Sequence, residues 1–470
     1  MVMRKLIILF VLGFTSVACG DWLEVSPKTE RPEKDMFTTV SGFKDALTGV
    51  YLELIDDQAY GEYLTLSKID NLVSFWTVQT KTREEALSLH DYSNAEVEAL
   101  IQNMYGRLYK IVLAANAILE NIDQRKGLFS AGEYEAIKGE CLAIRGMCHF
   151  DLLRLFGPVP SLADETPVLS YVTRVSSALN PLLSFSKFKE LLYADMKEAE
   201  TLLKTHLDGQ TETTDDYFVY RNIRMNWYGV KALWARMHLY FGEMDEAYRS
   251  AMEVIGMKKE NGDPLFRLGA SEDVASGDYA FSCEHILALY RFDMNMKYTN
   301  LFTGNSLYKG TNEATVKKGL FGSTGSDIRE MNLWELTKIS NGASYYVLRK
   351  YKTRTKVSSA DPDIQNIPLI RLSEMYMIAI ETGTRSEVAA LWDEFLMKRN
   401  INFVELPESR EDRLPLLIPE YQKEFYAEGQ VFYLYKRLNL PKDSKNWLWA
   451  PGKMELNYVL PLPKTEIVND

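Results

Sequence analysis

Ala232-Leu233-Trp234-Ala235-Arg236-Met237-His238-Leu239-Tyr240-Phe241-Gly242 is followed by Ala247 and Ala251. Gly242 then permits a tight turn, and small residues at Ala235 and Ala247 let two paired helices approach closely. The stretch therefore predicts a helical hairpin.

The same unit recurs on both sides of it. Leu100, Met104, Leu108, Ile111, Ala115 and Ile118 predict a helix over 96–123, and an amphipathic partner is predicted over 131–156, stopped by Gly157-Pro158. A helix over 185–205, with Phe188, Leu191, Leu192, Ala199 and Leu203 on one face, pairs with 226–241 across a polar loop at 208–216. A fourth hairpin is legible as 371–381 followed by 386–398, and a serine-capped helix over 41–51 precedes them all. The segment from Ala232 to Ala251 resembles a tetratricopeptide repeat. Hairpins of this sort bury their apolar faces only by stacking on neighbours, so the expected fold is mainly α, a tetratricopeptide-like superhelix.

Residues 257–368 read differently. Turns such as Asn261-Gly262-Asp263-Pro264 and Asn341-Gly342 interrupt a stretch of weak periodicity, with short strands expected over 286–292 and 345–351. An irregular, loop-rich lobe is thus expected on a helical body comprising about 41–256 and 369–437, all within one unit from 19 to 470. Irregular segments on a rigid body are where ligand contacts concentrate.

The amino terminus carries a different message. Arg4 and Lys5 precede an apolar run from Leu6 to Val17, then Ala18-Cys19-Gly20-Asp21. A basic start, a short apolar run and small residues before a cysteine describe a secretory signal over 1–18 with Cys19 as lipid acceptor. An ordinary cleaved signal with an incidental cysteine is the alternative. The run falls short of the roughly 20 residues a membrane span needs.

Composition bounds the rest. Of 470 residues, 46% are apolar and 25% charged, enough for a sizeable core, and the net charge of -11 argues against nucleic-acid binding. Cys141 and Cys148 lie seven apart on one predicted helix, about 10 Å along its axis, beyond disulfide reach. Structural thiols are the better reading. The histidines His90, His149, His206, His238 and His285 are scattered without metal-ligand spacing, so no metal is expected. Ser184-Phe185-Ser186-Lys187 fits a nucleophile pattern without its partner motifs and reads as a helix cap. Gly319-Leu320-Phe321-Gly322-Ser323-Thr324-Gly325 lacks the lysine of a phosphate cradle and reads as a flexible loop. Glu374 and Glu381 read as a solvated or packing-paired face. No catalytic constellation and no cofactor are predicted.

Several segments together resemble the SusD/RagB family of nutrient-binding outer-membrane lipoproteins. They are Cys19 to Pro27; Glu140 to Pro160, with Arg145 and the Gly157 to Pro160 stop; Arg224 to Ile255; Ile367 to Glu381; Glu428 to Arg437; and Tyr458 to Ile467. Two departures stand out: Glu381-Thr382-Gly383 where the family more often repeats an Ala-Glu-Ala stretch, and Gln430-Val431 in place of a His-Arg pair. The resemblance implies four tetratricopeptide-like helix pairs with a ligand-bearing lobe. It also implies a lipid-anchored protein outside the outer membrane, acting as lid of a TonB-dependent SusC-like transporter, binding oligosaccharide or, in some members, peptide, and performing no chemistry.

Sugars present apolar faces and hydroxyl edges, which aromatic rings and nearby amides accommodate. Trp76, in a polar aperiodic loop after Asp70-Asn71, is the leading expected contact, with Asn71 as hydroxyl partner and Tyr298, Tyr308 and Trp334 in the lobe. Trp227 and Trp234, at helical spacing, are expected to pack. A secreted glycoside hydrolase or peptidase, and a scaffold recognising only protein, are the competing classes.

Overall fold

The computed structural model describes residues 36–130, 132–204, 216–218, 221–304, 306–338, 342–352 and 365–464. The predicted signal, Cys19 and His206 lie outside the described residues. The main helices are Val40–Leu54 (α1), Ala95–Ile122 (α2), Glu133–Phe156 (α3), Phe185–Leu203 (α4), Trp227–Phe241 (α5), Met244–Ile255 (α6), Leu372–Thr382 (α7), Arg385–Lys398 (α8), Arg410–Glu424 (α9) and Val431–Arg437 (α10).

Side-chain caps set where these helices begin. Asn94 accepts from the N–H groups of Glu96 and Val97, Ser184 from Lys187, and Asn226 from Gly229, each contributing about 1 kcal/mol. Ser184 is thus a cap, as its sequence context suggests. The first helix starts earlier than expected because Thr39, not Ser41, accepts the Gly42 N–H. Gly242, at φ +80°, ends α5 in the left-handed region, as the hairpin requires.

Helix α3 departs most from expectation. It has no amphipathic face, because every residue from Gly139 to Phe156 is buried. It is the central helix of the body. Gly139 and Gly146 let α4 close on it: a Cβ at either would stand within 3 Å of Leu203 or Met196. Its polar side chains survive burial by pairing. Glu140 accepts from Tyr51 at 2.6 Å, Asp151 from Tyr60 at 2.6 Å, and Arg145 clasps Asp195 at 2.5 and 2.6 Å. Cys141 and Cys148 are buried free thiols. Trp227 and Trp234 are packed within the core.

Strands Pro167–Leu169 (β1) and Leu183–Ser184 (β2) pair antiparallel beside α4. In the lobe, His285–Tyr290 (β3) pairs with Asn366–Arg371 (β6), and Trp334–Lys338 (β4) with Ser344–Leu348 (β5), all antiparallel. One-turn helices such as Ser271–Ala275, Met294–Tyr298 and Ile328–Asn332 fill the intervals, too short for periodicity to announce them. Gly319–Gly325 is held rather than loose, since Glu330 accepts from the Gly325 N–H at 3.0 Å and from the Thr324 hydroxyl.

A buried ion network fastens lobe to body. Arg371, ending β6, bonds Glu284, Glu424 and Glu428, each at 2.8 Å. Arg399, just after α8, reaches Glu284 at 2.6 Å and Glu424 at 2.8 Å, and Arg329 reaches Asp327, Glu420 and Glu424. All these side chains are almost fully buried. Burial alone would raise the carboxyl pKa values, but the guanidiniums hold Glu424 well below the usual range and Glu428 below it as well.

Candidate functional site

The segment read as a polar loop between Tyr60 and Tyr92 is largely interior. Every residue from Leu64 to Trp76 is buried, folded around one-turn helix Lys68–Leu72. Asp70 accepts the Ala427 N–H at 2.6 Å, and its burial pushes its carboxyl well above the usual range. Ser74, at φ +58°, turns the chain so that Thr77 reaches the lobe. There the Thr77 N–H donates to the Tyr308 carbonyl at 2.9 Å, Gly310 N–H donates to the Thr77 hydroxyl at 2.9 Å, and Lys309 N–H donates to Tyr346 of β5 at 2.9 Å. Loop and lobe are therefore stitched into one ribbon.

Behind this ribbon stands an aromatic wall. Tyr426 stacks on Phe75 with centroids 4.4 Å apart and meets Trp76 and Trp334 edge-on, each at 4.9 Å. Phe302 extends the wall, edge-on to Trp76 at 5.8 Å and stacked on Tyr298 at 5.1 Å. Three of the five residues expected to touch ligand, Trp76, Tyr298 and Trp334, are thus gathered in one cluster, and Tyr308 joins it through the Thr77 ribbon.

Their role is corrected, however. Trp76 is 2% exposed and donates its indole N–H to the Leu66 carbonyl at 3.1 Å; Asn71, Tyr298, Tyr308 and Trp334 are no more than 6% exposed. None offers a ring face or amide to a soluble ligand, so they pack the wall instead of forming its outer surface. An aperiodic sequence signals the lack of a single buried face, and a segment buried from all sides lacks one too.

The outer surface belongs to residues not singled out from sequence. Trp449 is half-buried, its ring edge-on to Phe75 at 5.8 Å, with the Lys309 ammonium 3.9 Å from its centroid. Lys309 donates to the Ser74 carbonyl at 2.8 Å, and burial pushes its pKa down to about 7. Tyr345 is half-buried against Tyr308 at 4.1 Å, and Gln79 is exposed. The Trp447-Leu448-Trp449-Ala450-Pro451-Gly452 stretch, two indoles beside a Pro-Gly turn, is the sequence signal that could have pointed to Trp449. A partly open indole and phenol on a rigid base suit a ligand with apolar faces and polar edges. Nearby carboxylates are committed: Glu330 to the 324–325 turn, and Glu335 to Lys352 at 2.8 Å.

No helix among the described residues is long and apolar enough to cross a membrane. Residues 21–184 match a SusD-like family described as starch-binding and associating with the outer membrane. A SusD-like protein of Formosa agariphila is 24% identical over 166 residues, a match spanning 34% of this chain and 31% of that relative. The fold extends much further. A SusD superfamily structure from Bacteroides thetaiotaomicron superposes with a TM-score of 0.70 at 22% identity, covering 91% of this chain and 97% of the other. A SusD-like carbohydrate-binding protein from Bacteroides vulgatus gives 0.66 at 16% identity, covering 85% and 83%. With the stacked hairpins and the lobe in agreement, this chain has the fold of the SusD superfamily structures, and its residues 21–184 match the SusD-like family.

Proposed function

We propose that this protein is a non-enzymatic, lipid-anchored capture protein of the outer membrane that binds an oligosaccharide at the Trp449–Tyr345 face. It delivers that ligand to a TonB-dependent SusC-like transporter, for which it acts as the lid. Cys19 carries the acyl anchor, and the body faces the exterior. The observation that carries this reading is the partly open Trp449 ring, backed by Phe75 and fixed over Lys309 on the rigid loop–lobe ribbon. Rings held this way bury sugar C–H surface without paying to order themselves. The match of residues 21–184 to a SusD-like family described as starch-binding and associating with the outer membrane supports the outer-membrane setting and the glycan class.

The reading is tested by replacing Trp449→Ala and titrating a panel of soluble oligosaccharides. Losing one stacking platform should weaken the bound sugar by about 1–2 kcal/mol, roughly tenfold, while the fold melts within a few degrees of the parent. Unchanged affinity for every sugar that binds the parent removes this face from the function.

A further inference from the structure

Lys309 lies against the partly open Trp449 ring without a counter-ion. Its side chain is buried, its ammonium stands 3.9 Å from the Trp449 centroid, and its one hydrogen bond goes to the Ser74 carbonyl at 2.8 Å. An ammonium carries three donors, and among the described residues no carboxylate pairs with this one. Buried Lys350, by contrast, holds Glu428 at 2.7 Å, and Lys297 holds Asp57 at 2.8 Å. Lys436 also lacks a carboxylate, but it serves the Leu155 and Gly157 carbonyls at the end of α3. Lys309 has one carbonyl and a ring. In a chain of net charge -11, a buried cation left without an anion calls for one.

The same sign continues to the surface. The Trp449 indole N–H makes no hydrogen bond among the described residues, and its edge borders Gly319, where a Cβ would stand 3.6 Å from Nε1. Lys318, which precedes Gly319, is exposed and makes no ion pair among the described residues. Carboxylates of this region are committed elsewhere: Lys317 holds Glu313 at 2.7 Å, Thr324 and Gly325 occupy Glu330, and Lys352 holds Glu335. They do not offset the positive groups at Trp449.

An ammonium against an aromatic ring draws the π electrons toward itself. What remains open of the Trp449 ring is then a poorer partner for the slightly positive C–H groups of a neutral sugar and a better one for an anion. Lys309 is also poised to respond. Burial alone pushes its pKa down to about 7; no charge acts on it from the 64–77 segment, from β5 or from 447–452, and the neighbouring phenols of Tyr308 and Tyr346 are raised and stay neutral. An anion arriving at the ring therefore pulls a proton onto Lys309 at neutral pH.

We infer that the Trp449 face selects acidic oligosaccharides, those bearing carboxylate or sulfate, and that Lys309 sets this preference. The inference rests on the glycan-binding reading of that face. The full chain is titrated by calorimetry with a pool of uronic-acid oligosaccharides, with the same pool methyl-esterified, and with a sulfated galactan oligosaccharide. Each titration is run between about pH 6.5 and 8.5, where the acidic sugars keep a constant charge. At the lower pH an acidic probe should bind about tenfold tighter than the esters. It should lose several-fold in affinity by the upper pH and take up protons on binding, as read from buffers of different ionisation enthalpy, whereas the esters should do neither. The tighter of the carboxylate and sulfate arms names the anion. Lys309→Met should abolish both the preference and the pH slope while keeping ester binding, with a melting temperature no lower than the parent, since it removes an unpaired buried charge. The inference is overturned if the esters bind as tightly as the acids, if acid affinity in the parent is flat with pH, or if Lys309→Met keeps the preference. Esters that bind without an acid preference, and are lost in Trp449→Ala, leave the glycan face standing and remove only the selectivity; a chain that binds no probe removes both.

Discussion

Replacing Arg371→Met tests how the lobe is held to the helical body. The substitution keeps apolar volume but removes the charge that bonds Glu284, Glu424 and Glu428, each at 2.8 Å. Arg399 still serves Glu284 and Glu424, and Lys350 still serves Glu428 at 2.7 Å. The loss is therefore that of one buried partner, about 3–5 kcal/mol. At about 2.1 cal/mol/K for each residue, 470 residues melt with an entropy near 1 kcal/mol/K, so the expected fall in Tm is about 3–5 °C at pH 7. The pH dependence supplies the sharper check. In the parent, Glu424 and Glu428 have folded pKa values below those of the unfolded chain, so their contribution is present above the unfolded value of 4.5 and is lost as pH falls through the folded one. Without Arg371, Glu424 stays held by Arg399 and Arg329, but Glu428 keeps only Lys350 against its burial, so its carboxyl moves up and the variant is penalised at neutral pH and relieved as pH falls. Differential scanning calorimetry should then show the Tm gap between parent and variant narrowing from pH 7 towards pH 5. A gap below about 1 °C at pH 7, or one that widens on acidification, would refute the assignment of this network as the lobe's fastening.

Two further outcomes follow from burial. Trp76→Ala should cost about 3–5 kcal/mol as a core truncation and lower Tm by a few degrees, with circular dichroism melts as the readout; a stable variant with selectively lost sugar binding would return Trp76 to the ligand surface. His149 is held neutral, its pKa pushed down to about 3 by burial and then by the Arg145 charge. The unfolded histidine binds a proton near pH 6.5 and the folded one does not, so stability is intact above that value and falls below it, by about 2 kcal/mol at pH 5. His149→Gln should flatten that part of the Tm–pH profile, and an unchanged slope would show that His149 is not its source.

Helices whose single apolar face meets a neighbour were legible in the sequence, as α2 and α4 show, because burial on one side writes a 3.6-residue period. Helix α3 was located correctly, but its central position, buried all round, erases any face and could not be read. The ion network was invisible for a different reason: Glu284, Arg371, Arg399 and Glu424 are far apart in sequence, and only the fold brings them together. At the proposed face, the residues singled out from sequence form the buried wall behind the half-buried rings. Trp76, Tyr298 and Trp334 are aromatic and aperiodic, as surface platforms are, yet side chains packed from every direction share that signature. Trp449, which does reach the surface, sits in a short Pro-Gly segment whose composition resembles any loop.

The proposed function requires that this protein hold a carbohydrate without altering it. Isothermal titration of the mature chain against an oligosaccharide panel, followed by mass spectrometry of the recovered sugars, tests that claim most directly. At least one oligosaccharide should bind saturably and be recovered at its original length. Recovery of shortened products, or a panel in which nothing binds, would contradict it.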